Sequence, residues 1–314
     1  MLIEKTVIGS FPKLRIPLKA ALREVVELQL RYGVDLITDG EQRANMIQYF
    51  DQIPGTENVG SGLRIVGKIK PLKSDKLDEF YKIKDNLTVQ SILKGMRKQA
   101  KTKITLTGPM TLGTIIASTD INSAAEHYDL DQEETLFTDF SNALLPIVDK
   151  ALSVGAYVQV DEPSLSTGQV NVKTAEKILK DFTRHLPADA IKEGKVSCHV
   201  CGSIRSVAGL YDALLALEIP ILSFGFSGEV ERENFDVVSK ASLEQHGKKL
   251  GAGFISNVIV EEEGVILERL IRILDAAGRE NIRYLHPDCG FGLTRMEKVK
   301  LILEKMQKIG AAIT

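Results

Sequence analysis

The feature that most constrains this chain is a recurrence of short apolar runs, most of them followed by apolar positions at helical spacing. Runs at 2–8, 34–38, 103–107, 156–160, 195–201, 220–224, 250–256 and 282–286 read as strands. Helical spacing follows from Leu18 to a stop at Gly33, and again over 133–154, 172–186, 204–217, 234–246, 265–277 and 296–309. Eight strands in this order, with no Gly/Ser/Pro linker dividing them, predict an α/β chain folded as one (β/α)8 TIM barrel over 1–314. Between 42 and 86 the pattern weakens. Pro54-Gly55-Thr56 and Gly60-Ser61-Gly62 are loop signals and 63–69 alternates like a strand, so an extended excursion with a hairpin is expected after the second strand.

The totals exclude several classes. Of 314 residues, 44% are hydrophobic and 26% charged, and the formal net charge is −2, which is an ordinary globular balance. Basic residues are dispersed, which argues against a nucleic-acid partner. The densest basic run, Lys68, Lys70, Lys73 and Lys76, reads as a solvated hairpin or loop. The start of the chain lacks a basic region followed by an apolar run, and no apolar stretch approaches the roughly 20 residues that span a bilayer, so no membrane partner and a cytoplasmic location are expected. Gly108-Pro109 is too slight to count as a phosphate-binding loop.

In a parallel barrel the chemistry sits at the C-terminal ends of the strands. That rule selects Ser10, Glu41, Asp161, His199, Cys201 and Cys289. His199 and Cys201 are two apart on a strand and share a face, whereas Cys198 takes the opposite parity and reads as a small buried hydrophobe. A His-x-Cys pair alone is often mere packing. Cys289, between Pro287-Asp288 and Gly290 at another strand end, supplies a third donor. Imidazole and thiolate are preferred zinc ligands, and three protein donors with one open position is the usual catalytic arrangement. With two cysteines assigned to Zn2+, no pair remains for a structural disulfide, in keeping with a reducing compartment. Such an ion favours the thiolate of a thiol whose free pKa is roughly 8.5. Glu41 and Asp161 suit an ammonium, and Ser10 with neighbouring N–H groups suits a carboxylate, which together describe a thiol-bearing amino acid. The plainer readings are a solvated turn for Glu41, a helix cap for Asp161 and a turn hydrogen bond for Ser10.

These residues lie within longer matching stretches: Val7 through Pro12, Asp35 through Glu41, Arg43 through Met46, Thr107-Gly108-Pro109, Gln159 through Pro163, Leu165 through Gly168, His199 through Gly202 and Pro287 through Gly290. Taken in order, they resemble the catalytic C-terminal barrel of the cobalamin-independent methionine synthase superfamily, and most closely its short, single-barrel archaeal members. The resemblance implies that His199, Cys201 and Cys289 bind zinc, that Ile8, Gly9, Ser10 and Glu41 cradle homocysteine, and that Asp161 takes its amino group. The reaction implied is attack of a zinc-held homocysteine thiolate on an electrophilic methyl group. Three departures stand out. The usual fourth ligand, a Glu, aligns with Gly225, leaving Glu229 in the following loop as a substitute; residues 255–258 offer no catalytic His; and Ile115 stands where a folate-stacking Trp is usual. They count against methyl-tetrahydrofolate as methyl donor, and the resemblance to the short archaeal members in length and in Leu165 through Gly168 implies a corrinoid protein or methylcobalamin instead, with a separate N-terminal-domain-like protein as a further partner. Transfer to another thiol of the coenzyme M type, and a non-catalytic paralogue serving as a partner subunit, are the rival readings.

Overall fold

The computed structural model describes residues 3–311. Eight parallel strands form the barrel: β1 (Glu4–Lys5), β2 (Leu36–Ile37), β3 (Lys101–Thr107), β4 (Tyr157–Asp161), β5 (Val196–Val200), β6 (Ile221–Gly225), β7 (Lys249–Ile255) and β8 (Ile282–Pro287). Their spatial order is β1-β8-β7-β6-β5-β4-β3-β2. A parallel bridge between Thr6 and Leu36 closes the ring, reinforced by the Thr6 hydroxyl donating to Leu36 O at 2.7 Å. The fold is the expected (β/α)8 barrel. From β2 onward each strand carries residues buried on both faces, as a sheet lined inside by side chains and outside by helices requires. Of the first expected strand, Leu2 lies outside the described residues.

The first two strands are shorter than expected, Glu4–Lys5 against 2–8 and Leu36–Ile37 against 34–38, and the other main departures are in helices. The stretch 204–217 is helical only over Leu210–Leu215, because Ser203 and Ser206 make a hydrogen-bonded turn and Gly209 has a φ of 79°. The stretch 234–246 divides into a 3-10 turn, Glu231–Asp236, and a short helix, Lys240–Gln245, started by a Ser239 capping box. The first helix, α1 (Leu18–Arg31), is where the spacing puts it. Two further helices, α2 (Tyr81–Gly95) and α3 (Pro109–Thr119), carry no periodic apolar stripe. Helix α2 buries Lys82, Asp85 and Asn86 beside Ile83 and Val89, while seven of α3's eleven residues are buried.

The excursion after β2 therefore ends in a helix. Its hairpin, Thr56–Asn58 against Leu63–Ile65, is antiparallel, and Tyr49, Phe50, Ile53, Leu63, Ile65 and Phe80 are buried in the main core. Arg43 clasps the buried Asp85 of α2 with two nitrogens, at 3.0 and 2.5 Å. The excursion thus delivers α2 to the barrel mouth. Lys68, Lys70, Lys73 and Lys76 are all solvent-exposed, as their spacing suggested. Among the described residues no helix is long and apolar enough to cross a membrane.

Candidate metal centre and substrate cradle

Strand β5 ends as its alternation requires. Cys198 is 1% exposed and faces the packed outer layer, while His199 and Cys201 turn to the barrel mouth. Cys289 arrives from the loop after β8, 88 residues later, with its Sγ 2.8 Å from that of Cys201. His199 Nε2 lies 3.0 Å from Cys201 Sγ, and the three donor atoms all fall within 4.8 Å of one another. The sulfurs are free thiols, since a disulfide bond is only about 2.05 Å long.

Three lone-pair-bearing atoms converge here while the His199 ring makes its other hydrogen bond away from them, from Nδ1 to Ser223 Oγ at 2.9 Å. Burial holds the His199 pKa well below the usual histidine value, so the ring is neutral. The hydrogen bond between the thiols pushes Cys201 up and Cys289 down, favouring a thiolate on Cys289. This donor set fits a borderline-soft divalent ion such as zinc, and would hold one with a position left for substrate.

Position 225 adds no ligand, for a steric reason. A Cβ on Gly225 would lie 3.0 Å from Cβ, Cγ and Oδ1 of Asp288. Asp288 is held by the backbone N–H groups of Phe226, Ser227 and Gly228 and by the Ser227 hydroxyl. It cannot easily give way. Glu229 is exposed and lies outside the donor cluster. Gly225→Glu is therefore expected to lower thermal stability by about 1–3 kcal/mol through overpacking, without tightening zinc binding. Thermal melts paired with chelator competition check it.

Beside the donors lies a polar cradle. Gln159 Nε2 donates to Asp161 Oδ1 at 2.6 Å and to Ile8 O at 2.9 Å, and its Oε1 accepts from Lys103 at 2.5 Å. Gly9 O accepts from Thr38 at 2.9 Å, and Ser10 Oγ accepts from Gly292 N at 3.2 Å in the loop that carries Cys289. The backbone of Ile8, Gly9 and Ser10 is thus fixed between β2, β4 and the Cys289 loop. Burial, helped by the charge of nearby Glu41, raises the Asp161 carboxyl to about 7, and burial lowers the Lys103 ammonium to about 7. Asp161 Oδ2 takes no hydrogen bond among the described residues.

Glu41 sits at a φ of 54°, a left-handed conformation uncommon for a side chain of this size and often found at functional sites. Its Oε1 accepts from Lys82 at 2.7 Å and Thr105 at 3.3 Å, while Oε2 takes no hydrogen bond among the described residues. Lys82 is itself buried, with its ammonium 4.1 Å from the Tyr49 ring centroid. Burial works against that ammonium, but the charges of Glu41 and Asp39 outweigh it and leave the pKa raised. Lys82 and Lys103 escaped the sequence reading. The cap reading of Asp161 belongs instead to its neighbour: Glu162 takes the N–H groups of Met110 and Thr111 at the start of α3.

The fold and site define the class as a TIM barrel with a His/Cys/Cys cluster able to hold a metal ion, and with carboxylates, at its C-terminal mouth. A family profile described as "Cobalamin-independent synthase, Catalytic domain" matches residues 8–312, and the chain belongs to that family. A methionine synthase of Methanothermobacter marburgensis is 32% identical over 291 residues, which span 90% of this chain and 84% of that protein. A methionine synthase of Methanocaldococcus jannaschii is 28% identical over 310 residues, spanning 93% and 89%. The solved structure of a B12-independent methionine synthase from Shewanella sp. W3-18-1, in complex with selenomethionine, superimposes with a TM-score of 0.71 at 18% identity, covering 100% of this chain and 98% of the other. That last likeness concerns the fold.

Proposed function

We propose that this chain is a zinc-dependent homocysteine S-methyltransferase that forms methionine. The observation that carries the reading is the convergence of His199, Cys201 and Cys289 within 4.8 Å at the strand ends, with Asp161 paired in register with His199 on the neighbouring strand. When bound, a zinc ion supplies charge that favours the thiolate of a substrate thiol near neutral pH. The residues of the chain do the rest. Asp161 Oδ2 and Glu41 Oε2 offer two open carboxylate oxygens to an ammonium, and a cation there would offset the cost that the Glu41 charge adds to ionising Asp161. Lys82 neutralises part of the acid charge from below. The Ser10 hydroxyl, tied to the Cys289 loop, and the fixed backbone of Ile8 and Gly9 orient a carboxylate. Two acidic groups disfavour a sulfonated thiol, so inhibition by selenomethionine and indifference to a sulfonate supports the amino-acid acceptor over one of the coenzyme M type.

For the donor, the reading is a corrinoid protein or methylcobalamin. Ile115 is the half-buried residue in the place of a folate-stacking Trp, and the chain has no Trp at all. Zinc-loaded protein is expected to form methionine from homocysteine faster with methylcobalamin than with methyl-tetrahydrofolate. The reverse order, measured by product formation, would falsify the donor assignment. No methionine with either donor, from protein that holds zinc, would leave the non-catalytic partner reading in its place.

A further inference from the structure

Behind His199 the structure carries a second set of polar residues that the chemistry above leaves unused. Ser223 on β6 and His286 on β8 are buried in the barrel interior, at 2% and 1% exposure. Ser223 Oγ lies 2.9 Å from His199 Nδ1 and 2.8 Å from His286 Nε2, and His286 Nδ1 lies 2.8 Å from Pro287 O. Strand β7 stands between β6 and β8 and contributes a glycine at the crossing: a Cβ on Gly251 would sit 3.1 Å from both His286 Nε2 and Ser223 Cβ.

One member of this chain has a fixed role. A backbone carbonyl only accepts, so His286 Nδ1 must carry the proton it gives to Pro287 O. Both rings are buried and neither has a carboxylate among its hydrogen-bond partners, so a second proton, which would leave an unpaired buried charge, is disfavoured and each ring holds one. His286 Nε2 is then an acceptor, and the Ser223 hydroxyl must donate to it. The same hydroxyl has only lone pairs left for His199, whose Nδ1 must therefore be the N–H. The remaining nitrogen, His199 Nε2, is left with its lone pair toward Cys201 and Cys289.

We propose that Ser223 and His286, with Gly251 as the gap that lets them meet, form an ordered hydrogen-bond relay from Pro287 O that locks His199 in the tautomer able to bind metal through Nε2. They are positioning residues, acting through His199. The inference rests on the metal-site reading above. Outer partners of a ligating histidine commonly account for 10–100-fold in metal affinity.

Nitrogen NMR of the metal-free, full-length protein reads the tautomers directly, and chelator competition with Zn2+ alone reads affinity. The expected result is Nδ1–H on both His199 and His286, with Ser223→Ala binding Zn2+ about 10–100-fold more weakly than wild type. His286→Leu should weaken it in the same direction, the double variant should be no worse than Ser223→Ala, and His286→Gln, which keeps an acceptor for Ser223, should restore most of the loss. Circular dichroism and melting curves establish that each variant is folded. A proton on His199 Nε2 in the wild type overturns the proposal. So does a wild type that binds Zn2+ while folded Ser223→Ala and His286→Leu match it within about twofold, since the relay would then carry none of the 10–100-fold expected. If the tautomers are as stated and wild type binds no Zn2+, the relay stands and the metal-site reading fails.

Discussion

Protein carrying Cys289→Ala is expected to lose its bound metal and, with it, methyl transfer to homocysteine. Wild type should hold about one zinc per chain, as a three-ligand site with an open position does. Removing one of only three protein ligands should cost more than the 10–100-fold typical of residues behind the ligands. Fold stability should change little, because Cys289 is half-buried in a loop whose geometry is set by Ser10 and Asn257. Cys198→Ala is the matching control. That thiol lies on the other face of the same strand, and its loss should cost about 1 kcal/mol of packing while leaving zinc in place. Metal analysis by mass spectrometry, together with product assays on both variants, checks the pair. Zinc retained in Cys289→Ala, or wild type without zinc, would remove the basis for thiol activation.

The second large effect is on the cradle. Lys82→Met should destabilise the protein by about 3–5 kcal/mol, the usual cost of breaking a buried ion pair from one side. The Lys82 side chain is 1% exposed and that of Glu41 10%, so solvent does little to screen the carboxylate left behind. The sign follows from desolvation: with its cation gone, Glu41 must either remain charged in a poor environment or take up a proton. Replacing both members, Lys82→Met with Glu41→Gln, removes the charge that needed a partner and should return much of the lost stability. Homocysteine affinity should not return with it, because the open Glu41 oxygen is gone. Denaturant titrations of the two variants, set beside binding isotherms for homocysteine, separate the structural from the substrate-binding share. Equal instability in the single and double variants would mean that the pair is not the source of the effect.

The strand ends around Gly225 are packed through a single buried carboxylate, Asp288. Asp288 fills the space beside the backbone at that position and makes hydrogen bonds to three successive N–H groups of the β6 loop. Gly253 on β7 is tighter still, with a Cβ there meeting Asp288 Oδ1 at 2.7 Å and Gly225 Cα at 2.8 Å. The ends of β6, β7 and β8 are thereby packed through one carboxylate.

The sequence by itself determined the barrel, the side of β5 that His199 and Cys201 share, the exclusion of Cys198, and the placement of Ser10, Glu41, Asp161 and Cys289 at strand ends. These were readable because strand parity and the C-terminal rule depend on local spacing alone. Helices α2 and α3 were not readable. One turns polar side chains toward the barrel and the other is buried nearly all round, so neither shows the one-sided stripe that marks a surface helix. What only the tertiary structure decided is which distant residues meet. Lys82 reaches Glu41 across 41 residues and His286 reaches Ser223 across 63, pairings that no local pattern encodes. A lysine on a weakly patterned helix and a serine in an apolar strand look ordinary in isolation. Closing the ring gives them partners, because burial away from water obliges each polar group to find one.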